Sequence, residues 1–341
     1  MTIRLAWMLP AIIASLLAQR CAAEEINDLL LALPVLPKPQ AHAIPAPAEI
    51  KQLATGVSIV PGERVVLGGT VIIDQGPADG LEVFACLQNG KTHESVLRLS
   101  AEGGQMVKAA FIASFGLSDG VGSPEDSGLP ARGTPMRVTM RWADPDKPTS
   151  WWAVDASSLV RDRVNDKAYP ALPFIYTGSR FMTVEETAPN GSAIKRQRFM
   201  LDSTKSVVDI YDEGDALLAS PFPGAGYDKH FEANSAVCPP VGTAVQLDFQ
   251  RLDLPLSLVE SADGELHRTG EGTPVLSDAE LVALLAGTYG VDAKCEVRAI
   301  GIVVGGATER AKDVAVRLRL LRRAVEAKAW VVPVFIPSAA R

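Results

Sequence analysis

Met136-Arg137-Val138-Thr139-Met140-Arg141-Trp142 alternates apolar with polar residues at every step. Successive side chains of a strand point to opposite faces, so this run predicts a half-buried β-strand. The reading extends in both directions from there. Upstream, Val65-Val66-Leu67-Gly68-Gly69-Thr70-Val71-Ile72-Ile73 predicts two short strands, or one with a glycine bulge. Residues 81–86 and 95–99 predict strands flanking a turn at Gln88-Asn89-Gly90. Residues 105–115 predict a short amphipathic helix, and 118–135 a long glycine-rich loop. Downstream, 174–181 predicts a strand interrupted by Gly178, and 245–249 alternates again. Many short strands and few helices make this region β-rich.

Beyond about residue 251 the pattern changes. Residues 256–260 are strand-like and Asp263-Gly264 is a hairpin turn signal. Ser277-Asp278-Ala279-Glu280 has the spacing of a capping box, with Ser277 accepting from the Glu280 amide and Glu280 reaching back. A helix is expected over 279–285, then a strand over 295–304. Thr308 can cap a second helix with an apolar face at Ala311, Val314, Leu318, Leu321 and Val325. Residues 330–336 end the series as a strand. The expected fold class is therefore α+β: a β-rich N-terminal domain at 64–250, followed by a small α/β-layer C-terminal domain at 251–337.

The N-terminus carries a separate signal. Arg4, an apolar stretch over 5–17, small residues up to Ala23 and then Glu24-Glu25 read as a secretory signal peptide over 1–23. The run is shorter than the roughly 20 residues a membrane span needs, and Pro10 interrupts it. Cys21 would suit lipidation, but Gln19 and Arg20 stand where that processing wants small residues. Pro34, Pro37, Pro39, Pro45 and Pro47 make 24–63 a Pro/Ala-rich linker. The chain is expected to be exported to the periplasm or cell envelope.

Removing 1–23 takes Arg4 and Arg20 and no acid, so the whole-chain charge of −7 becomes −9. An acidic chain with scattered charge does not suit nucleic acid, which requires a basic face. An apolar fraction of 47% supports real cores and argues against global disorder. Cys86, Cys238 and Cys295 remain after the signal. Three cysteines make no disulfide framework, although export would permit a Cys86–Cys238 bridge.

Leu81-Glu82-Val83-Phe84-Ala85-Cys86 followed by Gly90-Lys91-Thr92-His93-Glu94-Ser95-Val96-Leu97 resembles the YdjY-like family of exported bacterial proteins. Residues 174–179 and 240–245 are compatible with it, and the resemblance covers about 64–250. It implies an exported domain and carries no settled biochemistry. The tail is similar to the periplasmic domain of the ExbD/TolR family, on Ala262-Asp263-Gly264-Glu265-Leu266, 276–285, the strand at 296–304 and the helix before Trp330. That similarity implies an α+β domain that homodimerises or contacts the cell wall or envelope proteins. The family's membrane helix with a functional acid is not found ahead of this domain, so motor activity is not implied.

The candidate functional motif is Cys86, Lys91, His93 and Glu94. A thiolate, an imidazole and a carboxylate suit a metal, or a nucleophile with its base. The spacing matches no zinc module, and adjacent strand residues His93 and Glu94 point to opposite faces. Lys91 can pair with Glu82 or Glu94. Trp142, Trp151 and Trp152 suit either a sugar-binding surface or a core. His230 with Asp228 and Tyr227, and His267, read as loop and turn residues. Gly301, Gly305 and Gly306 fit neither phosphate-binding fingerprint. With no complete catalytic set and no cofactor motif, the expectation is a non-catalytic binding or scaffold protein. The alternative is a metal-binding or redox protein using Cys86, His93 and Glu94.

Overall fold

The computed structural model describes residues 21–337 apart from 23, 27, 37–39, 48–49, 51, 78, 123–128, 148, 170, 189–190, 211–213, 222–229, 262–264, 270–273, 295 and 305–310. The expected signal peptide, the Asp263-Gly264 turn, the Thr308 cap, Gly305, Gly306, Tyr227, Asp228 and Cys295 fall outside the described residues. The fold is mixed α+β and dominated by strands.

The alternating run lies inside a strand, Thr134–Ala143, in which Arg137, Thr139 and Arg141 are half-buried between the buried Met136, Val138, Met140 and Trp142. Its length lets it serve three partners. One edge pairs with Ala244–Arg251. The other is divided between Phe174–Tyr176 at residues 134–136 and Ser150–Asp155 at 139–143. Arg64–Val71 is shared in the same way. It pairs with Ala244–Arg251 on one edge, and on the other with Val57–Val60 and then Ser95–Leu99. Contrary to the two-strand option, 64–71 is one strand, and Gly69 is needed there. A Cβ at Gly69 would lie 2.8 Å from the Arg98 carbonyl oxygen.

These divided edges close a ring. From Arg64–Val71 it runs through Ala244–Arg251, Thr134–Ala143, Phe174–Tyr176, Leu218–Ala219, Ser206–Asp209, Val83–Cys86 and Ser95–Leu99, then back to Arg64–Val71. It is an eight-strand barrel-like sheet. The helix Gly104–Phe115 matches the predicted one and buries Val107, Ala110 and Phe111. The Phe111 ring stacks on Tyr176 with centroids 5.7 Å apart and meets Phe249 edge-on at 5.1 Å. Burying one such side chain contributes roughly 1.5–3 kcal/mol.

The strand expected over 174–181 is instead two strands in two sheets. Gly178 (φ 82°) and Ser179 (φ 57°) turn the chain out of the barrel after Tyr176. It then enters a two-stranded ribbon of Phe181–Thr187 and Ala193–Phe199.

The C-terminal sheet has the order Leu266–Arg268, Ser257–Glu260, Ala299–Val304, Val332–Pro337. The last three are parallel, linked by the helices Asp278–Tyr289 and Ala311–Glu326. The Ser277–Glu280 capping box forms as expected. The face of the second helix is shifted by one residue from the expected one. It buries Asp313, Val316, Arg317, Leu320, Leu321 and Ala324. An ion pair from outside the helix lies on the buried face: Arg132, just before the central barrel strand, donates twice to Asp313 at 2.7 Å. Gly133 N–H to Phe335 O (3.0 Å) and Arg298 N–H to Ala171 O (3.1 Å) continue this seam between the two sheets.

The linker reading of 24–63 needs correction. Ile26, Leu30 and Leu33 are buried, and Arg322 on the last helix donates to Glu25 at 2.8 Å. His42–Pro45 pairs antiparallel with Ser150–Asp155, and Gln52–Ala54 with Val57–Val60. Proline lacks an N–H, but it is tolerated on an edge strand, and there a Pro/Ala-rich segment can add to a sheet. Among the described residues no helix is long and apolar enough to cross a membrane.

Candidate functional site

The strand Val83–Cys86 is buried at every residue because it lies between Ser206–Asp209 and Ser95–Leu99 in the barrel wall. Leu87 N–H then bonds the Lys205 carbonyl at 2.8 Å, and the chain reverses through Asn89 (φ 62°) and Gly90. Asparagine tolerates this left-handed conformation better than most residues. Gly90 is required by space: a Cβ there would lie 2.8 Å from the Lys205 Cβ and 2.9 Å from the Cys86 Cβ. A single 3₁₀ turn, Thr92–Glu94, leads into Ser95–Leu99. The Ser95 hydroxyl donates to the Lys91 carbonyl at 2.6 Å and Glu82 N–H to the Glu94 carbonyl at 3.2 Å, so both ends of the turn are tied down.

This scaffold sets the candidate residues in three different environments. The Lys91 ammonium stands 2.5 Å from Glu82 Oε2 and 3.3 Å from Glu94 Oε1, so both expected pairings occur together. Burial raises the Glu94 pKa, Lys91 lowers it, and Glu82 raises it again by like charge. The His93 side chain is 81% exposed, with Nε2 3.9 Å from Glu94 Oε2. Cys86 has no exposed surface. Burial pushes its thiol above the ordinary range, against a Ser95 hydrogen bond and the charge of Arg98. A thiol so held is a poor nucleophile and a poor metal ligand, since both roles need the thiolate.

The convergence of Cys86, His93 and Glu94 required by the metal or redox alternative is therefore not found. Cys86 faces the interior and His93 faces solvent. The described residues contain no group of three or more His, Cys, Asp or Glu that could hold a metal ion. The Cys86–Cys238 bridge is not formed either, and both thiols are free. Cys238 is half-buried, its pKa pushed up to about 12 by burial and by Asp74.

The tryptophans do not make a sugar-binding platform together. Trp142 is buried and pairs across strands with Trp152, while Trp151 sits opposite Ala143. His267 lies in a strand opposite Val259, and the His230 carbonyl accepts from Arg163 N–H at 2.8 Å. Gly301 is a strand residue packed against Ser257, whose Oγ would lie 2.5 Å from an added Cβ.

Polar clusters that the sequence reading missed are buried in the body. Asp248 is almost fully enclosed at the meeting of three neighbouring strands, with Oδ2 2.9 Å from Arg141 and 3.5 Å from Arg64. Asp155 accepts from the Ser157 hydroxyl at 2.7 Å, and burial pushes its pKa up to about 6. Arg132 and Asp313 lie 181 residues apart, so no local signal pairs them. The other missed feature is the two-stranded ribbon, of which the sequence reading includes only Phe181, as the end of the preceding strand. No known family profile, curated protein or solved structure matches this chain.

Proposed function

We propose that this chain is an exported protein of the periplasm or cell envelope and acts by binding or scaffolding rather than by catalysis. In this reading 64–250 is a YdjY-like domain and 251–337 an ExbD/TolR-like domain that associates with envelope partners or with its own copy. The observation that carries the non-catalytic part is the state of the candidate motif. Lys91 is held between two carboxylates, and the Cys86 thiol is sealed and protonated. Groups so committed hold a turn in place and are not poised to react. The C-terminal part of the reading is supported by its order of elements: a hairpin, a helix, a parallel strand, a second helix and a last parallel strand.

The test is to express the full chain with its own N-terminus in a bacterium and analyse the periplasmic fraction. Intact mass should place the first residue at Glu24, and elemental analysis should find no stoichiometric metal. A chain retained whole in the cytoplasm would overturn the export reading. Stoichiometric metal lost in Cys86→Ser or His93→Ala would overturn the non-catalytic one.

A further inference from the structure

The ribbon Phe181–Thr187 and Ala193–Phe199 stands apart from every other sheet, its two strands pairing only with each other among the described residues. A lone two-stranded ribbon is marginal in water, and its support here is concentrated at the base. There Phe181 and Phe199 pack with ring centroids 5.0 Å apart, and the Lys108 ammonium sits 5.2 Å from the Phe199 ring. Towards the tip nearly every side chain is exposed or half-exposed.

The ladder decides which backbone groups are free. Met200 N–H bonds the Arg180 carbonyl at the base, and Ala188 N–H bonds the Ser192 carbonyl at the tip. Antiparallel hydrogen-bonded pairs alternate with non-bonded ones. In this register Met182–Arg198, Val184–Arg196 and Glu186–Ile194 bond each other. The N–H and C=O groups of Ala193, Lys195 and Gln197 therefore point outward along one open edge. Those of Thr183, Glu185 and Thr187 point outward along the other.

The two edges differ in charge. Ala193–Phe199 carries Lys195, Arg196 and Arg198 and no acid. Arg196 (3.6 Å) and Arg198 (2.5 Å) both lean on the one carboxylate of Glu186, and Lys195 has no ion pair among the described residues. Two copies joined by this edge would set these cations against each other, which disfavours self-pairing.

The geometry points to strand addition at Ala193–Phe199, with an extended acidic segment of a partner protein as the occupant. Outward backbone groups at Ala193, Lys195 and Gln197 would supply affinity, and acids beside Lys195, Arg196 and Arg198 would supply selectivity. This goes beyond the binding-protein reading by assigning a surface and a partner chemistry, and it holds in whatever compartment the chain works.

The probe is a fluorescein-labelled decapeptide of alternating Glu and Val, measured by fluorescence polarisation with the purified full chain. A Lys-Val peptide and a proline-interrupted Glu-Val peptide serve as comparators. The Glu-Val peptide should bind, with each comparator at least about tenfold weaker. Gln197→Pro blocks the outward edge without removing a ladder bond and should weaken binding about tenfold, whereas Thr183→Pro on the opposite edge should leave it unchanged. Lys195→Glu with Arg198→Glu should turn the preference towards the Lys-Val peptide. Circular dichroism establishes that each variant is folded. Equal binding of both charged peptides, indifference to Gln197→Pro, or failure of the double charge reversal to change the preference overturns the inference. So does a dimer by light scattering that Gln197→Pro abolishes, because the occupant of this edge would then be a second copy.

Discussion

Val83–Cys86 and Ala193–Phe199 are both short strands following a turn or loop, yet they have opposite fates. The first is paired on both edges and buried throughout; the second is paired on one edge and buried only at Phe199. Ring closure removes edges, and with them the free backbone groups that recruit other chains. A thiol in the closed wall is inert, whereas ordinary side chains on the open ribbon can select a partner. In this molecule the capacity for interaction follows the pairing state of the strand more than the reactivity of its residues.

If that contrast holds, substitutions in the closed body should change stability and those on the ribbon should barely do so. The largest effect is expected at Arg132→Ala, which strands the buried Asp313 carboxylate without its guanidinium. Removing one partner of a buried pair typically costs about 3–5 kcal/mol. Urea unfolding measures this loss, and adding Asp313→Leu should recover part of it. No loss would show that the seam between the barrel and the C-terminal sheet is not held there.

Asp155 gives the next effect, and it depends on pH. Its pKa is pushed up to about 6 by burial, so the folded chain holds that proton more tightly than the unfolded one. Its contribution is complete below the unfolded carboxyl pKa of about 3.9 and is lost as pH rises through about 6. Asp155→Asn keeps the acceptor for Ser157 and removes the titration. It should match the parent near pH 4 and exceed it near pH 7 by up to about 3 kcal/mol. An equal difference at both pH values would remove burial as the cause.

Lys91→Met should cost about 1 kcal/mol or less, since the clasp with Glu82 and Glu94 is partly solvated. Unfolding in high and low salt would show whether that small term is electrostatic. Smallest of all, Gln197→Pro should change stability by less than about 1 kcal/mol, because the N–H it removes points away from the ladder. A large loss there would mean that the ribbon supports the body and is not merely carried by it.

Local pattern was a sound guide wherever local forces decide. The alternation at 136–142, the Ser277–Glu280 box and the helix ending at Phe115 all appear as read. The pattern misled where a distant partner competes. Asp313 and Arg317 look like solvent-facing residues of an amphipathic helix, but both are buried, and Asp313 pairs there with Arg132. The prolines at 34–47 look like a tether, but part of that segment finds a sheet edge to join. Cys86, His93 and Glu94 are close in sequence, and the 3₁₀ turn rotates the imidazole out while the strand keeps the thiol in.

By itself the sequence determined the mixed α+β class, several of the longer strands and the Ser277 cap, because periodicity and capping act over a few residues. It also determined the acidic balance of the chain. Only the tertiary structure decided that the strands close into a ring, that Cys86, His93 and Glu94 do not converge, and that 181–199 leaves the barrel with open edges. Closure depends on Thr134–Ala143 and Arg64–Val71 each dividing an edge between two partners. That choice is made by backbone hydrogen bonds between residues far apart in the chain, which no local pattern encodes.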